Sequence, residues 1–304
     1  MVVSITVRAP AKVNLHLGVG PRRPDGFHDL ATVFQAVSLY DEVTVRPSSE
    51  LAVEVTGEGA DQVPDDATNL AARAALALAA FTGRAAKVRI EIRKGIPVAG
   101  GMAGGSADAA AALVACDALW ETAVGPAALH QLASTLGSDV PFCLIGGTAL
   151  GAGRGEQLTT VLGRGTYHWV FALADGGLST PSVYGELDRM REQTPGLEAE
   201  VPPEMLAALR TGDARRLAPL LANDLQAAAL RLKPALSRTL EAGLDAGALG
   251  ALVSGSGPTC AFLAEDESAA VKLAAALPGS GACRAVRRAH GPVAGVKLVA
   301  DFDS

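Results

Sequence analysis

The chain opens with two segments in which hydrophobic and polar residues alternate, the pattern typical of β-strands. They cover residues 3–7 and 12–19, and Pro10, which lacks a backbone N–H, is expected to break the chain between them. Similar patterns predict further strands at residues 42–46, 51–56, 87–92, 168–174, 251–253, 260–263, 283–287 and 296–300.

The second of these segments carries three polar residues on one face. Lys12, Asn14 and His16 are spaced two residues apart, so their side chains lie on the same side of a strand, opposite Val13 and Leu15. A lysine, an amide and an imidazole in this arrangement can form a solvated surface or part of a binding site. The alternation leaves both interpretations open.

Helical spacing of hydrophobic residues predicts the other elements. The first helix runs from about residue 69 to residue 81, with Thr68 or Asn69 as its N-cap and Gly83 after its end. The next has an apolar stripe at spacings of four, three and four residues: Ala109, Leu113, Cys116 and Trp120. Further helices are expected at residues 126–136, from Ser179 onwards, within 202–245 and at 267–277.

The order of these elements indicates two domains. A length of 304 residues is sufficient for two hydrophobic cores, and the residue pattern changes near residue 165, just before the strand predicted at 168–174. We therefore expect one domain at residues 1–165 and another at residues 166–304. In the second, strands and helices alternate in a way that predicts a split βαβ arrangement.

The segment from Pro97 to Asp108 contains four glycines and is followed by the predicted second helix. Free backbone N–H groups and the positive end of a helix dipole meet there, which favours an anion such as phosphate. The segment lacks the lysine of a Walker A loop and the spacing of a dinucleotide fingerprint. A flexible turn, or a helix packed too closely for any side chain, is the alternative. If the segment binds phosphates, a valine at Gly104 is expected to abolish that binding.

Two other short segments could carry chemistry. Residues 254–258 form a second glycine–serine turn, which alone is a weak indication of an anion site. Asp139 lies on a turn between a predicted helix and an apolar segment, where it can be a helix N-cap or a catalytic carboxylate.

Composition and charge limit the function classes. The net charge of −6 and the pI near 5.4 argue against a general nucleic-acid surface. Four scattered cysteines without a C-x-x-C pair predict buried, reduced thiols. The first residues do not have the pattern of a signal peptide, and no apolar run is long enough to span a membrane. We therefore expect a soluble, cytoplasmic protein without a membrane or nucleic-acid partner.

Three stretches taken together, residues 10–15, 97–107 and 255–259, resemble the three motifs of the GHMP kinases, a superfamily of small-molecule kinases. This resemblance implies a two-domain α+β fold, with an N-terminal domain like ribosomal protein S5 domain 2 and a ferredoxin-like C-terminal domain. Additional segments at 24–30, 32–35 and 136–141 resemble the branch that phosphorylates the 2-hydroxyl of a cytidine diphosphate-linked polyol in isoprenoid precursor synthesis.

The resemblance assigns a role to each matching position. It implies that Asp139 is the base and that Lys12 lies beside it and beside the transferring phosphoryl group of ATP. The positions implied to bind ATP are Asn69, Leu70, Pro97, Val98, Ala99, Gly100, Gly101, Met102, Ala103, Gly104, Gly105, Ser106 and Ala107. Ser106 is also implied to lie near Mg²⁺. The acceptor substrate is assigned Asn14, Phe27, His28, Tyr184, Gly255, Ser256 and Gly257.

In this branch the cytosine is held between two aromatic rings and read by a histidine. Here Phe27 stands where the family usually has tyrosine, which keeps the stacking surface but removes a phenolic hydroxyl. Tyr184 matches the second ring position more loosely, and His28 matches the reading position.

Other functions remain possible at this point. Another GHMP kinase, acting on homoserine, mevalonate or a sugar, would lack the element at residues 24–28. A non-catalytic regulator that binds phosphorylated metabolites on the same fold would be expected to have lost Asp139 or Lys12, and both are present. An RNA-binding protein that uses the S5-like half is opposed by the acidic charge balance.

Overall fold

The structure is a computed structural model, which describes residues 4–98, 100–192, 198–279 and 281–299. The strands in chain order are β1 (Ile5–Arg22), β2 (His28–Pro47), β3 (Ala52–Gly57), β4 (Val88–Lys94), β5 (Thr148–Ala152), β6 (Gln157–Thr160), β7 (Tyr167–Leu173), β8 (Ala222–Asn223), β9 (Gly250–Val253), β10 (Cys260–Ala264), β11 (Ala285–Gly291) and β12 (Lys297–Leu298).

The helices in chain order are α1 (Leu70–Thr82), α2 (Gly104–Trp120), α3 (Pro126–Leu136), α4 (Val140–Ile145), α5 (Thr180–Arg191), α6 (Pro203–Thr211), α7 (Ala214–Leu217), α8 (Gln226–Leu232), α9 (Ala235–Asp245) and α10 (Glu267–Gly279). The predicted helices are present, and Asn69 caps α1 because its side chain accepts from the N–H of Ala71. The expected run of helices at 202–245 is interrupted by the short strand β8.

Strand β1 continues through Pro10, so the expected break there is wrong. Pro10 pairs with Tyr40 of β2, and the next residue, Ala11, pairs with Val37. The register shift therefore falls on β2, which accommodates two additional residues at this point. Proline lacks the N–H that the ladder would use, and an irregularity in the pairing is where a strand tolerates it.

The larger sheet forms the first layer of the fold, in the order β12-β1-β2-β4-β3, with β5 on β2 and β6 on β5. Helix α2 packs against β1 and β2 and also against α1 and α4. Neighbours on several sides explain why α2 is rich in alanine and buried on most of its surface instead of along the single predicted stripe.

The smaller sheet is antiparallel, in the order β11-β7-β10-β9. Along β7, Trp169 and Phe171 belong to a hydrophobic core that they share with β1, β2 and α2. Val170 and Ala172 belong to a second core with α5, α8, α9 and α10. One face of this sheet thus packs on the larger layer and the other face packs under helices. Helices packed on sheets in which most strand pairs are antiparallel confirm the predicted α+β class.

The chain crosses between the two layers more than once. Strand β8 pairs in parallel with β1, and β12 pairs with the opposite edge of the same strand. Both strands follow residue 166, so segments of the C-terminal half complete the sheet of the N-terminal half. The boundary between residues 165 and 166 stays a prediction.

Candidate active site

The polar face of β1 is buried. Lys12 is 4% exposed and Asn14 is 2% exposed. The Nζ atom of Lys12 donates to Oδ1 of Asn14 at 2.8 Å, and Nδ2 of Asn14 donates to the hydroxyl of Thr32 at 2.8 Å. These bonds satisfy the polar groups that burial removes from water. The interpretation of this face as a solvated surface is therefore wrong for Lys12 and Asn14.

The pairing of β1 with β2 shifts between Asn14 and His16, and the side chain of His16 takes no part in that network, although its carbonyl accepts from the hydroxyl of Thr32 at 2.7 Å. Its Nε2 atom is 2.8 Å from the carbonyl oxygen of Glu200. Burial lowers the pKa of His16, and the hydrogen bond to Glu200 opposes this shift. The imidazole therefore tends to be neutral and is held by the backbone instead of by the site.

Asp139 faces Lys12 across the space between β1 and α4. One of its carboxylate oxygens lies 3.5 Å from Nζ of Lys12. Asp139 occupies the N-cap position of α4, but its side chain makes no capping hydrogen bond. The carboxylate is 30% exposed, so it is available to a ligand as well as to the lysine. The geometry gives no support to a capping role.

A cavity of about 530 Å³ opens beside this ion pair. It lies between β1, the start of β2, α5 and the turn at residues 254–258. Its lining includes all but one of the positions that the resemblance assigns to the acceptor substrate: Asn14, Phe27, His28, Tyr184, Gly255 and Ser256. Gly257 does not line it. The fold brings these residues together from four segments that are distant in the sequence.

Aromatic and basic side chains line one part of this cavity. Phe27 is 51% exposed, and the guanidinium of Arg154 lies 5.0 Å from the centre of its ring. The ring of His28 lies 5.1 Å from that of Tyr184 with a tilt of 31°. Burial raises the pKa of Tyr184, with a smaller contribution from the charge of Asp139, so its hydroxyl stays protonated. These rings offer flat surfaces on which a nucleobase can stack.

A second cavity, of about 420 Å³, lies on the other side of the glycine-rich segment. Most of the positions assigned to ATP line it: Asn69, Leu70, Pro97, Val98, Gly100, Gly101, Met102, Ala103, Gly104 and Gly105. Ser106 lines the larger cavity, Ala107 lines neither, and Ala99 lies outside the described residues. Gly104, Gly105 and Ser106 are the first turn of α2, so the glycine-rich loop ends earlier than the sequence indicates.

Close contacts explain the glycines of this segment. Gly101 has a φ of +72°, and a Cβ atom there would lie 2.1 Å from the carbonyl oxygen of Ser254. The hydroxyl of Ser254 donates to the carbonyl of Gly101 at 3.2 Å, and the N–H of Lys12 donates to the carbonyl of Met102 at 3.2 Å. The glycine-rich segment is thus held against both the second glycine turn and β1.

Gly104 lines the smaller cavity together with Lys94 and Asp108. A Cβ atom there would lie 3.3 Å from Nζ of Lys94, 3.4 Å from Ile96 and 3.6 Å from Asp41. A valine at Gly104 would therefore press on Lys94 and its neighbours, and the expectation that it abolishes ATP binding stays a prediction.

Those buried groups form a charged cluster that sequence reasoning missed. Nζ of Lys94 lies 2.5 Å from Asp41 and 2.6 Å from Asp108, and the other oxygen of Asp41 accepts from the N–H groups of Gly95 and Ile96 at 2.7 and 2.9 Å. Burial raises the pKa of Asp108 to about 8, against the attraction of Lys94. The cluster joins the residues just before the glycine-rich loop to the helix after it. Only the position of Lys94 beside the loop hinted at it.

Comparisons with known proteins agree with this geometry. Two family models match: the GHMP kinases N terminal domain at residues 69–147 and the GHMP kinases C terminal at residues 205–283. The 4-diphosphocytidyl-2-C-methyl-D-erythritol kinase of Nocardia farcinica (strain IFM 10152) is 61% identical over 295 residues, which cover 97% of this chain and 96% of that protein. The kinase of the same name from Mycobacterium tuberculosis (strain ATCC 25618 / H37Rv) is 60% identical over 296 residues, with coverages of 97% and 93%.

Solved structures are similar over the same length. A crystal structure of 4-(cytidine 5'-diphospho)-2C-methyl-D-erythritol kinase superposes with a TM-score of 0.76 at 34% identity and covers 94% of this chain and 98% of that one. The L. major mevalonate kinase in complex with R-mevalonate has a TM-score of 0.77 at 16% identity, covering 95% and 96%, so this likeness concerns the fold alone.

The fold and the two cavities on either side of a glycine-rich helix start define the class as a two-domain, ATP-using small-molecule kinase of the GHMP type. With relatives about 60% identical over nearly the whole length, the chain belongs to the 4-diphosphocytidyl-2-C-methyl-D-erythritol kinase family within that class. The resemblance seen in the three motifs is thereby confirmed, as is the expectation of an enzyme. In the described part of the chain, no helix is both long and apolar enough to cross a bilayer.

Proposed function

We propose that this protein transfers the γ-phosphoryl group of ATP to the 2-hydroxyl of 4-diphosphocytidyl-2-C-methyl-D-erythritol. One observation carries the proposal: the two cavities share Gly101 and Ala103 and meet beside the pair formed by Lys12 and Asp139. Phosphoryl transfer requires a donor and an acceptor that meet in line, with charge neutralisation at the meeting point. A nucleotide in the smaller cavity and a polyol in the larger one satisfy this requirement.

Asp139 is the proposed general base. Its exposed carboxylate can accept the proton of the acceptor hydroxyl as the oxygen attacks phosphorus. Lys12 lies 3.5 Å away and is kept in place by its bond to Asn14, so its charge stays at the site where negative charge develops on the transferring group. The base and the cation are positioned before the substrate binds, which reduces the reorganisation needed during the reaction.

The ATP phosphates are proposed to bind at the start of α2. This helix has 17 residues, and the N–H groups at its start have no carbonyl partner within the helix, which leaves them available to an anion. Asn69 and Leu70 line the nucleotide cavity, and the adenine is proposed to lie beside them. Ala99, Ala107 and Gly257 keep only the roles that the family resemblance proposes for them.

Mg²⁺ is proposed to bind with the phosphates of ATP. The described residues hold no group of three or more histidine, cysteine, aspartate or glutamate side chains that could chelate a metal. Mg²⁺ does not require such a group, because it keeps several waters and binds through one or two protein oxygens together with phosphate oxygens. The hydroxyl of Ser106, on the first turn of α2, is the proposed protein ligand. When bound, the ion would neutralise phosphate charge.

The cytidine part of the substrate is proposed to bind between Phe27 and Tyr184, with His28 at the edge of the base. Phe27 offers an exposed ring face. Gly255 and Ser256 line the same cavity nearer to Lys12, where the diphosphate of the substrate is proposed to pass. Homoserine and mevalonate have no aromatic group that would use this end of the cavity.

The proposal is tested by ³¹P NMR of the purified protein with ATP, Mg²⁺ and separate acceptor alcohols. We expect a new phosphomonoester signal with 4-diphosphocytidyl-2-C-methyl-D-erythritol and none with homoserine or mevalonate. Asp139→Asn keeps the shape of the side chain but removes the proton acceptor, and should lower kcat by about 10²–10⁴ while ATP binding is unchanged. Phosphorylation of homoserine but not of the cytidyl substrate would refute the assignment.

A further inference from the structure

His28 makes a hydrogen bond that base recognition alone does not explain. Its Nε2 atom lies 2.8 Å from Oδ1 of Asp188, and the imidazole is 5% exposed. Asp188 lies on α5, one turn after Tyr184, whose ring contacts the same imidazole. Helix α5 therefore contacts His28 with a ring and with a carboxylate.

The carboxylate determines where the imidazole carries its proton. An ionised carboxylate only accepts hydrogen bonds, so Nε2 of His28 must be the donor. In a neutral imidazole the other nitrogen, Nδ1, then has a lone pair and can only accept. Within the described ranges, Nδ1 has no hydrogen-bond partner, and His28 lines the larger cavity. Nδ1 of His28 is thus a hydrogen-bond acceptor that a ligand in this cavity can use.

Cytosine and uracil differ in the group that such an acceptor distinguishes. Cytosine has an exocyclic amine that donates, whereas uracil has a carbonyl that accepts at the same position. An acceptor opposite the amine forms a hydrogen bond, but opposite the carbonyl it leaves two acceptors facing each other without a proton.

We propose that Asp188 is a positioning residue that fixes the Nε2–H tautomer of His28 and thereby selects a nucleobase with an exocyclic amine. This inference rests on the cytidine-containing substrate proposed above. Asp188 does not touch the base in this account and acts only through the imidazole. Arg22 is the other charged neighbour of its carboxylate, with Nε 3.9 Å from Oδ2.

Asp188→Asn is the most informative variant. The carboxamide has the same shape, but it can present either an acceptor or a donor to Nε2, so both tautomers of His28 can be held. We expect the ratio of kcat/KM for the cytidine substrate to that for its uridine analogue to fall about ten- to a hundredfold. KM for ATP should not change.

Arg22→Gln is the matched control, since it removes the second charged neighbour of Asp188 and leaves the bond to His28 in place. The cytidine-to-uridine ratio should equal that of the wild type. If Asp188→Asn lowers kcat/KM equally for both substrates, or leaves the ratio unchanged, Asp188 serves only to support the fold and the proposal is wrong.

A second measurement does not depend on turnover. ¹⁵N NMR of the ligand-free protein distinguishes protonated from unprotonated ring nitrogens, and the His28 signals are assigned by their loss in His28→Gln. We expect protonated Nε2 and bare Nδ1 in the wild type and a mixture in Asp188→Asn. A protonated Nδ1 in the wild type overturns the proposal. If the wild type phosphorylates neither nucleotide substrate, the proposed function fails, and the NMR result still decides the role of Asp188.

Discussion

The contact between Gly101 and Ser254 can be tested by adding a single methyl group. In Gly101→Ala, the new Cβ would lie 2.1 Å from the carbonyl oxygen of Ser254, whereas real Cβ atoms are essentially never closer than 3.0 Å to such an atom. The two glycine turns must therefore separate by about 0.9 Å. The neighbour is backbone and cannot rotate away, so the second turn has to move.

Gly83→Ala is a matched control for backbone strain. Gly83 has a φ of +70°, almost equal to the +72° of Gly101, but nothing lies within 4 Å of a Cβ atom at Gly83. Both variants place an alanine in the left-handed region, which costs about 1–2 kcal/mol. Only Gly101→Ala adds steric overlap, for which a further ~1–3 kcal/mol is typical. The difference between the two variants isolates the contact between the turns.

Urea unfolding and steady-state kinetics together measure the effect. We expect Gly83→Ala to lose about 1–2 kcal/mol of unfolding free energy and keep its kcat/KM. Gly101→Ala should lose more stability, and its kcat/KM should fall about a hundredfold, because a shift near 1 Å in substrate-positioning groups has effects of that size. If the two variants have equal stability and equal activity, the turns do not touch as described, and the reasoning is refuted.

Three further predictions follow from the site and the cluster beneath it. Phe27→Ala should raise KM for the cytidyl substrate about ten- to a hundredfold, since a stacking ring contributes about 1–3 kcal/mol per base, whereas Phe27→Tyr should be nearly neutral. Lys94→Met leaves two buried carboxyls without their cation and should lower the unfolding free energy by about 3–5 kcal/mol. The control Arg89→Met, which removes an exposed ion pair with Glu54, should lower it by less than about 1 kcal/mol. Equal losses in the two variants would contradict the buried ion cluster. The pKa of Asp108 is raised from 3.8 to about 8, so the folded protein binds a proton that the unfolded chain releases, and stability should fall as pH rises from about 5 to 8. This slope should be smaller in Asp108→Asn, and an identical slope in both proteins would disprove it.

The sequence indicated the proposed reacting groups better than it indicated their surroundings. Lys12 lies in the first of the three motifs and Asp139 in the additional segment at 136–141, and the structure brings their side chains within 3.5 Å. The cluster around Lys94 could not be found in this way. Its members are separated by 53 and 14 residues, and none stands in a pattern that distinguishes a buried charge from a solvated one.

Glycine was the other point at which local reasoning was insufficient. A glycine-rich segment indicates that backbone is approached closely, but not by which atoms. At Gly101 the approaching atom belongs to Ser254, which is 153 residues away, and at Gly104 it belongs to Lys94, a buried residue that lines the same cavity. Periodicity cannot reveal such partners, because they exist only after the two layers have packed.

Strand β1 contacts Asp139 and the first glycine turn directly, and it contacts the second glycine turn through β8, so its continuity through Pro10 bears on the geometry of the site. Lys12 uses its N–H to hold Met102 of the first turn and its side chain to face Asp139. Next to β1, Asn223 of β8 donates to the carbonyls of Val253 and Gly255 at 2.7 Å and so holds the second turn. A real break at Pro10 would release Lys12 from the register that places it between the two turns. The shift in pairing at Pro10 is instead taken up by two additional residues of β2, and β1 stays continuous from Pro10 to Lys12 and Asn14.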